Sequence, residues 1–326
     1  VNKELSMSGL VVGYGSPDHV KIEEMFKKIS YRGPYVSGIS TNKQVMMAQN
    51  YLKADCPMAN PDRNKVPITS SGNGGWQICY DGQMGNHKEL AKDHGLSNGP
   101  FQEERLLLHL HQKHGSNMCE YLDDAIFAFV ISNGDEIFAA RDLLGIKTLF
   151  YGRRDNTLYL ATELKSLAAV TDDVNEFPPG HYMDGSGNLT RFAELPKTPP
   201  EHLHSDLNQM VEDIRDIIQR SLQSRVDFTV ETGGLLSGGM DSSVINYLAG
   251  ELHREKFGKD ARLKTFAVGV GESEDIISAR VLAHHINSDH HELIVDLEQV
   301  LEVLPEVIYY LESFDPSLVR SSVSNF

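Results

Sequence analysis

The chain has 326 residues, 40% hydrophobic and 23% charged, which excludes a disordered or fibrous polymer and suffices for two domains at about 150 residues each. Lys and Arg number 30 against 46 Asp and Glu, a formal charge of −16, so the surface as a whole repels a phosphate backbone and no nucleic-acid partner is expected. Cys56, Cys79 and Cys119 show no C-x-x-C spacing, no apolar run approaches the roughly 20 residues of a membrane helix, and the N-terminus has no secretion-type apolar stretch, so a cytoplasmic protein with no membrane partner is expected.

In chain order, residues 9–13 predict a buried strand and His19 to Ile29 a surface helix with one apolar face. Gln77 to Tyr80 predicts a short strand closed by an Asp81-Gly82 turn, and Glu103 to His114 a helix. Four short strands follow: Ala125 to Val130, Glu136 to Ala140, Thr148 to Tyr151 and Leu158 to Ala161. Residues 1–185 therefore read as an α+β unit. Residues 186–205 are a linker candidate, because Pro196, Pro199 and Pro200 fix φ and remove donors. A helix is expected from Asp206 to Ser224. Strand and helix then alternate: Thr232 to Leu236, Val244 to Leu252, Lys264 to Val270, Asp275 to Ile286, His291 to Val295 and Leu297 to Leu311. This order predicts an α/β unit over 206–326 with a parallel sheet and helices on both faces.

The sharpest motif is Leu235 to Ser243, LLSGGMDSS, between a strand and a helix. Gly238 and Gly239 let the backbone approach an oxyanion, and a helix N-terminus offers free N–H groups with the dipole behind them. Ser237, Ser242 and Ser243 add hydroxyls. Asp241 would repel a bare phosphate and makes sense if Mg²⁺ bridges its carboxylate to pyrophosphate oxygens. The loop is not Gly-x-x-x-x-Gly-Lys-Ser/Thr, which argues against a kinase or GTPase. An ordinary Ser-capped turn is the bland alternative, disfavoured by two glycines, three serines and an aspartate meeting at one strand end.

Ser237 to Ser243 resembles the pyrophosphate loop of the ATP pyrophosphatase superfamily, also described as adenine nucleotide alpha hydrolase-like. Phe266 to Val270, Ser273-Glu-Asp275, His290-His-Glu292 and Tyr310 to Ser322 resemble the synthetase domain of glutamine-dependent asparagine synthetases. That resemblance implies ATP and Mg²⁺, with Leu236 and Val268 at adenine, Ser237, Gly238, Gly239, Ser242 and Ser243 at pyrophosphate, Asp241 at the metal, and Asp275 and Arg320 near nucleotide and substrate. It implies activation of a carboxylate, aspartate foremost, as acyl-AMP with release of pyrophosphate, followed by amide formation. His290 and His291 are expected to be strand-end surface polarity, since adjacent strand residues face opposite ways and do not easily chelate one ion.

The first half resembles the class II glutaminase domain of the same enzymes. Ala139 to Tyr151, Ala161 to Lys165, Pro178 to Tyr182 and Arg32-Gly33-Pro34 carry the likeness, which implies an N-terminal-nucleophile αββα sandwich. The chemistry departs from the family pattern. Ser8 of Met7-Ser8-Gly9 stands where the family has its Cys, with seven residues before it that would block a free α-amine. The oxyanion-donating Asn becomes Asp81, whose charge opposes an oxyanion. By ungapped alignment the glutamine-binding Arg falls on Tyr51 and the Asp on Gln102. Residues 1–185 are therefore expected not to hydrolyse glutamine.

Complete members of the family continue for about 200 more residues. The shortness leaves a fragment, a domain completed by a second chain or homo-oligomer, or a truncated paralogue, with the next helix expected to begin near Val323. Two functions are weighed: the ATP-dependent ligase, and a non-catalytic pseudoenzyme, assembly or regulatory protein on the same scaffold.

Overall fold

Short apolar strands broken by tight turns build the first unit. In chain order its elements are β1 (Gly9–Tyr14), α1 (His19–Lys28), β2 (Val36–Asn42), β3 (Val45–Tyr51), β4 (Ile68–Thr69), β5 (Gln77–Met84), α2 (His87–Asp93), α3 (Gln102–His114), β6 (Ala125–Ser132), β7 (Ile137–Arg141), β8 (Phe150–Arg154), β9 (Thr157–Ala161), α4 (Leu164–Leu167), β10 (Asn175–Glu176), β11 (His181–Met183) and β12 (Leu189–Arg191). The computed structural model describes residues 8–53, 60, 65–70, 75–197, 206–226 and 228–324. Met7, Cys56 and residues 198–205 of the expected linker lie outside these. The chain divides into two units, residues 1–199 and 200–326.

Among the described residues the first unit holds two antiparallel sheets, in the orders β10-β8-β9-β1-β3-β2 and β12-β11-β7-β6-β5-β4. Alternation along β1 shows how they stack. Leu10 and Val12 join Cys79, Ala128 and Val130 between the sheets, while Val11 turns outward to Ile22, Met25 and Leu167 under α1 and α4. On the other outer face, Leu106, Leu107 and Leu110 of α3 bury against Phe127, Phe129 and Ile131. The result is the αββα sandwich that the resemblance implies.

Two sequence expectations need correction here. Asp81-Gly82 is not a turn. β5 runs on to Met84, with Asp81 opposite Ala128 and Gly82 opposite Phe127, because pairing along all of β6 overrides the local turn signal. The strand expected at Thr148 to Tyr151 begins instead at Phe150.

The second unit contains α5 (Leu207–Arg225), β13 (Gly233–Leu235), α6 (Met240–Phe257), β14 (Lys264–Val270), α7 (Glu274–His285), β15 (Asp289–Val295), α8 (Leu297–Leu311) and α9 (Pro316–Val323). Its sheet is parallel in the order β13-β14-β15, with Leu235 opposite Phe266 and Phe266 opposite His291. Leu236, Ala267, Ile276, Ala279 and Ala283 form its core under α7. α6 starts four residues before the predicted Val244, and α9, not expected from the sequence, begins at Pro316 behind an Asp315 cap. His290 is also not surface polarity. Its Nδ1 lies 2.9 Å from Thr265 Oγ1, which lies 2.8 Å from Ser288 Oγ; His291 is exposed and stacks on Phe266. No helix among the described residues is long and apolar enough to cross a membrane.

The first unit carries an acid sensitivity. His111 on α3 lies edge-on to Trp76 and stacks on Phe138, with ring centroids 4.8 and 4.9 Å away. Burial lowers its pKa to about 4. His94 and His109 are lowered too, by burial first and then by cationic neighbours. Each folded pKa lies below the unfolded value of about 6.5, so the unfolded chain binds more protons between the two. The His111 contribution is present in full above about 6.5 and is lost as pH falls toward 4. His111 alone should remove about 2 kcal/mol by pH 5. Urea unfolding at pH 7 and pH 5 reads this, and His111→Phe should flatten the difference; an equal loss of stability between the two pH values in both proteins would refute it.

Candidate functional site

Two places in the chain gather the predicted residues, one in each unit. In the second, β13 ends at Leu235, and Leu236 is buried with its N–H donating to Phe266 O at 2.7 Å. The chain then turns through Ser237, Gly238 and Gly239 into α6. Gly238 has φ +79, and a Cβ there would lie 2.6 Å from Asp275 O and 2.9 Å from Ala279 N. The loop is thus pressed onto the start of α7 at a place only glycine fits. Gly239 is the N-cap and makes no side-chain cap hydrogen bond, whereas Asp18, Asp206, Ser273, Asp296 and Asp315 each cap their helices. Among the described residues no N-cap side chain closes the start of this eighteen-residue helix, which leaves its first amides open to an anion.

The hydroxyls are arranged around the turn. Ser237 N–H donates to Ser242 Oγ at 3.2 Å, and Ser237 Oγ lies 3.0 Å from Ser242 Oγ. Ser242 Oγ and Ser243 Oγ both donate to Gly239 O, at 3.1 and 2.7 Å. Asp241 is exposed in the first turn, beside the uncapped end. One carboxylate with serine hydroxyls suits Mg²⁺, which keeps most of its waters and takes one or two carboxylates plus substrate phosphate oxygens. Among the described residues no three His, Cys, Asp or Glu side chains are grouped to hold a metal by themselves. Val268 is half-buried on β14, two residues beyond the Leu236 contact at Phe266, and Asp275 lies in the first turn of α7 with its carbonyl facing Gly238. Arg320 is exposed on α9, and no hydrogen bond or ion pair among the described residues joins it to the loop.

In the first unit Ser8, which the resemblance sets at the nucleophile position, is buried just before β1, and its carbonyl accepts from Arg32 Nε at 2.8 Å. Arg32 is the centre of an ion network that sequence reading did not anticipate. Its Nη1 meets Glu163 Oε1 at 2.8 Å and its Nη2 meets Asp81 Oδ2 at 2.9 Å. Lys147 Nζ reaches Asp81 Oδ1 at 2.7 Å, and Lys165 Nζ reaches Glu163 Oε2 at 2.8 Å. Burial opposes the Arg32 charge, but Asp81 and Glu163 outweigh it and raise its pKa above the ordinary value. The Arg141-Asp142 pair fixes the loop that delivers Lys147. Arg141 Nε donates to Lys147 O at 2.6 Å, and Asp142 accepts the N–H groups of Leu144, Ile146 and Lys147.

Asp81 therefore spends both oxygens on cations at a position where the resembled family has a neutral oxyanion donor. Tyr51 is fully buried, its ring 5.2 Å from Phe101, and Gln102 Nε2 donates to Asn98 Oδ1 at 3.0 Å. The network was legible only in pieces. Arg32, Lys147, Glu163 and Lys165 stand inside quoted motifs, but nothing local pairs residues up to 131 positions apart.

Comparison with known proteins agrees with both halves. Residues 7–209 match the glutamine amidotransferase domain family and residues 213–326 match the asparagine synthase family. The chain is 29% identical over 347 residues to "Asparagine synthetase [glutamine-hydrolyzing] 1" of Saccharomyces cerevisiae, covering 94% of this chain and 58% of that protein. It is 29% identical over 351 residues to "Asparagine synthetase [glutamine-hydrolyzing]" of Brassica oleracea, covering 98% of this chain and 56% of that one. The chain thus spans a little over half the length of these relatives. Among solved structures, glutamine phosphoribosylpyrophosphate amidotransferase from B. subtilis aligns with a TM-score of 0.51 at 14% identity, over 95% of this chain and 94% of that one, a likeness of fold alone. The chain belongs to the glutamine amidotransferase domain family, joined to an asparagine synthase segment in the manner of the glutamine-dependent asparagine synthetases.

Proposed function

We propose that the chain carries the nucleotide end of an ATP-dependent amide-forming ligase of the asparagine synthetase type, in the cytoplasm, with residues 1–185 as an inactive glutaminase domain, 186–205 as linker and 206–326 as the N-terminal part of the ATP pyrophosphatase domain. The observation that carries it is the uncapped helix start at Gly239, flanked by Ser237, Gly238, Asp241, Ser242 and Ser243 at the end of a parallel strand. The loop amides and hydroxyls would bind the pyrophosphate of ATP, with Leu236 and Val268 against adenine. Asp241 would hold Mg²⁺, which supplies charge neutralisation of the pyrophosphate leaving group. Asp275 and Arg320 would face nucleotide and substrate. The proposed reaction joins a carboxylate, aspartate foremost, to the α-phosphorus of ATP and releases pyrophosphate.

The ion network supports the inactive reading of the first unit. An anion developing beside Asp81 meets a carboxylate, and the Arg32 and Lys147 charges are already engaged. Incubating the 326-residue chain with MgATP and aspartate should release pyrophosphate above an ATP-only control, and incubation with glutamine should release no glutamate above buffer. Saturable ATP binding without acid-dependent pyrophosphate release would favour the non-catalytic scaffold; glutamate release would overturn the inactive assignment.

A further inference from the structure

Asn246 lies four residues after Ser242 on α6, where sequence reading gave it no role. It is 2% exposed. Its Nδ2 donates to Leu235 O at 2.9 Å and to Ser242 O at 2.8 Å. The first acceptor is the last residue of β13 and the second stands in the first turn of α6, so one amide ties strand end to helix start across the signature loop. Both amide protons are engaged, which settles the orientation of the group: a flipped amide would set oxygen against two carbonyl oxygens. The buried Oδ1 has no hydrogen-bond partner among the described residues and faces Gly234, where a Cβ would lie 1.8 Å away. Ser242 carries the constraint onward, since its Oγ accepts the Ser237 N–H and donates to Gly239 O.

We propose that Asn246 is the positioning residue of the pyrophosphate loop, holding Ser237 to Ser242 in the anion-ready turn through its two hydrogen bonds. It touches no ligand and acts through Leu235 and Ser242. A preformed turn binds an anion without first being ordered, which raises affinity without adding a contact. The inference rests on the nucleotide reading above, and the geometry of the clamp stands apart from it.

The test compares Asn246→Ala with the wild-type 326-residue chain in two measurements. Amide hydrogen exchange at Ser237 and Ser243, whose N–H groups donate to Ser242 Oγ and Gly239 O, should be about tenfold faster in the variant, with the remainder of the second unit unchanged. Binding of inorganic pyrophosphate should weaken about tenfold while binding of adenosine is unchanged. A role confined to packing would instead lower the melting temperature and weaken both ligands together. Gly234→Ala supplies a second variant, because its methyl displaces the Asn246 amide from its acceptors; it should reproduce both effects, and the double variant should fall short of their sum. Unchanged loop exchange in both variants overturns the clamp whatever the ligand does. A wild-type chain that binds no pyrophosphate overturns the nucleotide reading, and with it the role given to Asn246, even where exchange shows the clamp.

Discussion

Asp81→Asn is expected to lower the stability of the first unit by about 3 kcal/mol. The substitution restores the side chain that the family's glutaminase pattern has at this position and changes almost no volume. Its effect comes from what it leaves behind. Asp81 is 2% exposed and pairs with Arg32 and Lys147, whose side chains are 5% and 15% exposed. Arg32 keeps Glu163 as a partner, but Lys147 loses its carboxylate in a place where little water reaches it. Breaking one side of a buried pair costs about 3–5 kcal/mol, and the partial exposure of Lys147 sets the lower end. At roughly 2–4 °C per kcal/mol for a unit of this size, the melting temperature should fall by about 6–12 °C.

The double variant Asp81→Asn with Lys147→Met removes both charges. It should recover more than half of the loss, because the remaining Arg32 and Glu163 still satisfy each other. Neither variant should release glutamate from glutamine, since Ser8, Tyr51 and Gln102 are unaltered. Thermal unfolding of the three proteins and a glutamate assay check this. A single variant that melts within about 2 °C of wild type would show that the network is hydrated and of little weight.

Why the sequence offers the candidate loop and conceals the ion network follows from how far apart the partners lie. The loop proposed for the nucleotide is contiguous: strand, two glycines, three serines and an aspartate fall within nine residues, and the fold delivers them as a unit. The Arg32 network joins four motifs that meet only when the two sheets stack. Asn246 was missed for a different reason, since a lone polar residue one turn into a helix reads as solvent-facing until the strand end beneath it is known. The β2–β3 hairpin escaped notice because Lys43, at φ +51, occupies a turn position that glycine or asparagine usually marks, and because Met46, Met47, Ala48 and Gln49 carry little strand preference. Asp81-Gly82 misled in the opposite direction, as a turn signal overruled by eight residues of cross-strand pairing.

Gly238→Ala and Gly239→Ala are expected to separate two roles that the motif merges. At Gly238, φ is +79 and a methyl would sit 2.6 Å from Asp275 O, 2.7 Å from Ser278 Cβ and 2.9 Å from Ala279 N. Two of those atoms belong to the backbone of α7, which cannot rotate away, and the left-handed conformation itself costs about 1–2 kcal/mol for alanine. The variant should lose about 3 kcal/mol of stability in the second unit and bind ATP at least about thirtyfold more weakly, because the turn must open. At Gly239 the backbone is extended at φ −73, and a methyl there would meet Ser237 Oγ first, at 3.5 Å, an ordinary contact. That variant should melt within about 1 °C of wild type. Its methyl nevertheless stands at the mouth of the uncapped helix, where the proposed phosphate would come close to the amides, so ATP binding should weaken about tenfold with the fold intact. Calorimetric titration with ATP and thermal unfolding of both variants decide the matter. Equal losses of stability would place both glycines in the fold of the turn alone, and unchanged ATP binding by Gly239→Ala would move the anion away from this helix.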